Sequence, residues 1–251
     1  MSTPEVEYIR TLELPAARSR GPGDRAVPPA FTTERQALAI AGQLTEFSPA
    51  IEPGLRGDLS NCLLLAQLAA DKAAGSPAQD LRSWYAPYSG VLRQTGWVVG
   101  EGDFQEQAVR ADGAFVHKEI IPVVAAFLGP AASAVSIVLQ LLNSLSAMEQ
   151  NQPWITLFQS ESQTLNGAKL QISLVDKQAT GDAAVNLLSV GIEARQRITQ
   201  VLFFKVSSQS TRLTKATGTM TMAPATLARI REAVQAKVDQ HVLTNIANID
   251  I

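Results

Sequence analysis

Charge is what this chain lacks where a soluble protein usually carries it: no charged residue falls between Ile120 and Met148. Cysteine and histidine are nearly absent too, present only as Cys62, His117 and His241. A lone cysteine excludes an internal disulfide framework. With no cysteine or carboxylate at ligand spacing, neither histidine reads as a metal ligand, and no metal or cofactor is expected. G-x-S-x-G, a Walker loop and H-E-x-x-H are all missing, so no nucleophile–base pair can be named and no enzyme is expected. Nor is there a basic excess: 21 Lys and Arg against 23 Asp and Glu give a net charge of −2, which argues against nucleic acid as a partner. The opening MSTPEVEYIRTLELP has acidic residues and no apolar h-region, so no ordinary secretory signal is expected.

What is present is a core. Hydrophobic residues make up 46% of 251, enough for one large domain or two small ones. The charge-free run is interrupted by Pro122 and by Gly129-Pro130. The breaks leave pieces of roughly 14 and 18 residues, short of the ~20 that a spanning helix needs. The second piece carries a polar stripe (Ser133, Ser136, Gln140, Asn143) that a lipid-embedded helix would not need. Phe115–Met148 is therefore read as a helical hairpin of the core, with Gly129-Pro130 as its turn and a candidate hinge.

Along the chain, Val6–Leu14 reads as a short strand and Ala16–Pro29 as a flexible Arg/Gly/Pro linker open to proteases. Residues 1–30 thus form an N-terminal strand and linker, and residues 31–251 a single domain. A helix is expected from Thr33, with Thr33 and Gln36 as a capping box and Ala37, Ile40, Ala41, Leu44 and Phe47 on its core face. A second is expected from the Asp58 cap to Gly75. Gly96–Val109 reads as a twisted strand. After Pro153 come five strand candidates: Trp154–Glu161, Lys169–Lys177, Val185–Arg195, Arg197–Ser207 and Thr211–Met222. Asn166-Gly167 and Thr180-Gly181-Asp182 supply turn signals. Pro224 opens a last helix with Leu227, Ile230, Val234 and Val238 on one face.

The alternation says more. Leu170, Ile172 and Leu174 oppose Lys169, Gln171, Ser173 and Lys177; Leu188, Val190 and Ile192 oppose Ser189, Gly191, Glu193 and Arg195. In Arg197–Ser207, Leu202, Phe204 and Val206 oppose Val201 and Phe203, so both faces are apolar and this segment is expected to be the central strand. The predicted class is α/β: an antiparallel sheet sandwiched between two layers of helical hairpins.

These residues resemble the Cyt cytolytic δ-endotoxins. The likeness is carried by a charge-poor helix pair, by WITLF after an Asn/Gln/Glu-rich turn, by QATGDAAVNLLSVGIE, by QVLFFKVSSQS and by the Pro-led APATLARIREAV, over roughly 110 residues, while the first 110 match in element order and length. The resemblance implies a single-domain, three-layer Cyt-like fold, shared by the fungal volvatoxin and an Erwinia virulence factor. It also implies phospholipid membranes as the partner, self-oligomerisation there, and permeabilisation after proteolysis. The protein would be made in soluble form and act at a target-cell membrane. The membrane-interacting residues would be Leu170, Ile172, Leu174, Leu188, Val190, Ile192, Leu202, Phe204 and Val206. Cys62, flanked by Leu59, Leu63 and Ala66, reads as a buried small hydrophobe; the Erwinia relative implies instead an acylated thiol. The alternative function is a non-lytic virulence or interaction protein of the same fold that binds a lipid tail or a partner.

Each of the three candidate strands has about 9–11 residues, the length a tilted strand needs to cross a bilayer. The same strands serve equally as a core sheet. Arg195, Arg197, Lys205, Arg212 and Lys215 would meet anionic headgroups or simply keep a sheet rim solvated. Glu101, Asp103 and Glu106 read as a solvated edge.

Overall fold

The computed structural model describes residues 3–17, 28–74, 81–100, 102–109, 112–162, 167–195, 197–198 and 200–249. Pro4 opens helix α1 (Pro4–Thr11) where a strand is expected. Glu5 and Glu7 in its first turn and Arg10 in its last suit the helix dipole, and Ile9 is fully buried. Most of the expected protease-sensitive linker lies outside the described residues.

The predicted helix from Thr33 is instead a hairpin of β1 (Gln36–Ile40) and β2 (Gln43–Phe47), with Ala41 at φ 47° in its turn. β2 is buried at all five positions. A segment covered on both faces keeps no exposed side: Gln43, Thr45 and Glu46 are buried with Leu44 and Phe47, so polarity marks no outer face and the pattern does not separate helix from strand. Gln36 makes no capping box; its side chain accepts from Thr32 N–H and donates to the Ala30 carbonyl.

Helix α2 (Pro53–Ala74) starts five residues before Asp58, which sits inside it. Helix α3 (Leu81–Gln94), absent from the sequence reading, buries Trp84, Tyr85, Tyr88, Val91 and Leu92. The single twisted strand expected after Gly96 is two short ones, β3 (Val98–Val99) and β4 (Asp103–Gln107).

Helix α4 (Val116–Ser133) runs through Pro122, where a break is expected, and is broken at Gly129, which takes φ 75° and ψ 169°. After a last turn, Ser136 caps α5 (Ile137–Ser144) by accepting from Leu139 N–H, and a 3-10 turn follows. Trp154–Glu161 is no strand: Pro153 opens helix α6 (Pro153–Ser162). Among the described residues no helix is long and apolar enough to cross a membrane.

The long strands are β5 (Gly167–Lys177), β6 (Ala183–Ala194) and β7 (Thr211–Met222), all near their expected bounds. The β5–β6 turn is the expected one, with Gly181 at φ 91° and Gln178 N–H donating to the Asp182 carbonyl. Asn166 lies outside the described residues, and Gly167 opens β5. Helix α7 (Pro224–Asn245) buries the four predicted residues and His241, and β8 (Ile246–Asn248) ends the sheet.

Arg197–Ser207 is not the central strand. Its described residues form turns and one bridge, Lys205 to Phe115. Val116 N–H donates to the Phe204 carbonyl and Val206 N–H to the Ala114 carbonyl, which fixes the start of α4. Ile198, Val201, Leu202, Phe204 and Val206 are buried. The apolar pattern reported burial on two sides, and irregular backbone meets that condition as well as a strand does.

The sheet runs β3-β7-β6-β5-β2-β1-β8, with β4 also on β7. Every pair is antiparallel except β2–β5, so the sheet is mixed. The parallel pair is joined by a long crossover that passes through five helices. One core lies under α1, α2, α3 and α7, the other under α4, α5, α6 and the 198–206 segment. Two helical layers around a sheet is the predicted α/β architecture.

Candidate functional site

Strands β5 and β6 lie at the centre of the sheet, and each face of their pair has its own chemistry. Ala168 pairs with Ile192, Leu170 with Val190 and Ile172 with Leu188. Their side chains form one apolar patch beneath α4, α5 and α6, sealed by Ile120, Leu141, Trp154 and Phe158. Five of the predicted membrane-interacting residues (Leu170, Ile172, Leu188, Val190, Ile192) are therefore contiguous. Leu174 is half-buried toward the strand end. Leu202, Phe204 and Val206 join the same core from the irregular segment, not from the sheet.

The opposite face of the same residues is polar, and it too is buried. Gln43 donates to Thr45 at 3.1 Å and to Ser173 at 2.8 Å, Ser173 donates to Thr45 at 3.1 Å, and Gln171 donates to Ser189 at 3.2 Å. A row that alternation reads as outward-facing is in fact roofed by α2 and α3. Farther along, Val175, Ala183, Val185 and Leu187 make this face apolar. Amphipathic character is thus confined to Gly167–Ser173 paired with Leu187–Glu193.

Lys169 ends the polar row. Its ammonium lies 3.7 Å from Asp71 and 3.2 Å from the centroid of the Trp84 ring, whose N–H donates to Asp71 at 2.6 Å. Burial pulls the lysine down to about 8, with the Asp71 and Glu161 carboxylates acting against that shift. Beside it is a space of about 10 Å³ lined by Leu81, Trp84 and Gly191, room for a water molecule. Sequence reasoning missed this centre. Its one signal was an Asp in the apolar run of α2.

Cys62 is buried in α2, and burial pushes its thiol up to about 12. His117 makes a 2.6 Å hydrogen bond from Nδ1 to the Leu202 carbonyl, and burial lowers its pKa. Among the described residues no cluster of His, Cys, Asp and Glu is placed to hold a metal ion. Arg195, Arg197, Lys205 and Arg212 are exposed, Lys215 is half-buried, and Arg212 lies 3.8 Å from Glu106 on the neighbouring strand.

No protein-family model matches the chain, and no curated protein does. Solved structures do. A delta-endotoxin is similar at 16% identity, over 84% of this chain and 91% of its own, with a TM-score of 0.37. The activated Cyt2Ba monomer from Bacillus thuringiensis subsp. israelensis is similar at 16% identity, over 70% of this chain and 95% of its own, with a TM-score of 0.36. The Evf virulence factor is similar at 13% identity, over 96% and 89%, with a TM-score of 0.32. These structures come from the group that the sequence resembles.

Proposed function

We propose that the protein is membrane-active: it binds a phospholipid surface, uncovers the apolar face of β5 and β6 and perforates the bilayer as an assembly of several chains. The carrying observation is the patch of Leu170, Ile172, Leu188, Val190 and Ile192, whose main cover contains the charge-free stretch from Ile120 to Met148. Moving that stretch from protein to lipid transfers no ion into a medium where each charge is costly. β5 and β6 have 11 and 12 residues, which matches the roughly 9–11 of a tilted spanning strand. Backbone groups in lipid must all be paired, so an inserted hairpin needs neighbours from other chains. The exposed arginines and Lys205 supply an approach to anionic headgroups.

The test is release of a quenched dye from phosphatidylcholine vesicles, with and without anionic lipid, before and after limited trypsin treatment. Leakage at micromolar protein is expected. Vesicles that stay intact in every arm overturn the reading.

A further inference from the structure

The two helical covers are fastened to the sheet differently. On the α2–α3 side the ties are interior and charged. Gln67 donates to the Ile40 carbonyl at 2.9 Å, and Asp71 on α2 faces Lys169 on β5. Helix α7 packs outside α2, with Arg231 2.6 Å from Asp58. Lifting this cover would strand a buried ammonium from its carboxylate.

On the α4–α5 side the start of α4 is tied to the 202–206 segment, and a carboxylate of the sheet holds the start of α5. Glu46 projects from β2 toward the apolar core and is 2% exposed. Its Oε2 accepts from the Ser136 hydroxyl at 2.7 Å and from Val138 N–H at 3.1 Å. Ser136 Oγ in turn accepts from Leu139 N–H at 3.2 Å, so Glu46 fixes the first turn of α5. Its other oxygen accepts from Arg35 at 2.8 Å, a side chain 27% exposed. When α5 departs, Glu46 keeps Arg35 and gains water. Upstream, the chain is already bent at Gly129, and Val135 is 48% exposed at the tip.

We propose that α4–α5 is the cover that leaves the sheet first, and that Glu46 is the positioning residue that latches it. This deepens the membrane-active reading and rests on it. From Ile120 onward the released cover carries no charge, with Lys118 and Glu119 confined to the first turn of α4; its break is built in, and the carboxylate that latches α5 remains paired on the strand.

The test has a solution arm and a lipid arm. Hydrogen exchange of the Val138 and Leu139 amides is measured in Glu46→Gln and in the milder Ser136→Ala, against α2 amides in the same spectra. A charge-assisted bond lost at a helix start predicts exchange at least about tenfold faster at those two amides, with α2 unchanged. Unchanged exchange in both variants overturns the latch. In the lipid arm, an environment-sensitive dye is placed at Val135→Cys or, on the other cover, at Ala73→Cys; the native Cys62 is buried and does not compete. With phosphatidylcholine vesicles the Val135→Cys dye is expected to shift to the blue before the Ala73→Cys dye, and sooner when Glu46→Gln is added; Glu46→Asp restores the slower rate. A shift first at Ala73→Cys overturns the assignment. Faster exchange in solution with no leakage from any form leaves the latch standing and removes the membrane reading instead.

Discussion

Lys169 and Trp84 are stacked ammonium on ring, 3.2 Å apart, and Asp71 takes a hydrogen bond from the indole and faces the ammonium at 3.7 Å. A lysine and an aspartate this deeply buried persist because each satisfies the other, and removing one leaves the other costly. The triad joins α2, α3 and β5, so it reports on whether the α2–α3 cover is seated.

Lys169→Met should therefore destabilise the protein by about 3–5 kcal/mol near neutral pH, read as a lowered urea midpoint. The pH dependence has a definite sign. The folded value of about 8 lies below the ordinary 10.5, so the fold favours the neutral amine. Below 8 both states hold the proton and the full cost of the buried ammonium is present. Between 8 and 10.5 only the unfolded chain holds it, so wild-type stability should rise with pH, by up to about 3 kcal/mol. The variant should lack that rise, and the gap between the two should widen. A wild-type curve that is flat or falling relative to the variant contradicts the placement of Lys169.

Acid should act through the histidines. Burial holds both His117 and His241 below their ordinary 6.5. As pH falls through 6.5 the unfolded state gains protons that the folded state refuses, so stability is present above this range and declines below it. The slope should reach at most about 1.4 kcal/mol per pH unit for each histidine. His117→Gln should reduce the slope, measured by urea unfolding at a series of pH values from 7.5 to 5. An unaltered slope would place the loss elsewhere.

Gly129 adopts φ 75° and ψ 169°, a region open essentially to glycine alone, and a Cβ there would meet no neighbour within 4 Å. Gly129→Ala should cost about 1–3 kcal/mol from backbone strain without a packing defect. A smaller loss in thermal or urea unfolding would mean that the break in α4 is soft.

Cys62 should be silent in the native protein. A pKa of about 12 against the ordinary 9.0 leaves roughly a thousandfold less thiolate at neutral pH, and burial blocks access as well. Disulfide reagents should react in urea and not in buffer. Rapid native labelling would show that α2 opens far more readily than its contacts imply.

Legibility followed the kind of burial. β5, β6, β7 and α7 were readable because each keeps a regular alternation or a helical stripe and is bounded by turn residues or proline. Gly181 and Pro224 mark two of those bounds. Trp154–Glu161 looked like a strand from its β-branched and aromatic side chains, but Pro153 sits where a helix begins and no partner strand lies beside it. The β1–β2 hairpin was hidden because both its faces are buried, so its polar residues Gln43, Thr45 and Glu46 mark no solvent side. The membrane-facing candidates on β5 and β6 came out as one patch, while Leu202, Phe204 and Val206 reached the same core by a different route.

The chain's own order of residues determined the strand pair with its apolar and polar sides, the charge-free helical segment and its break at Gly129, because these are properties of neighbours along the backbone. Tertiary structure alone decided that the polar side of that pair is roofed rather than wet, that Lys169 meets an aspartate 98 positions earlier, and that Glu46 reaches the start of a helix 90 positions later. Contacts at such separations depend on which layer closes over which face, and no local periodicity carries that information.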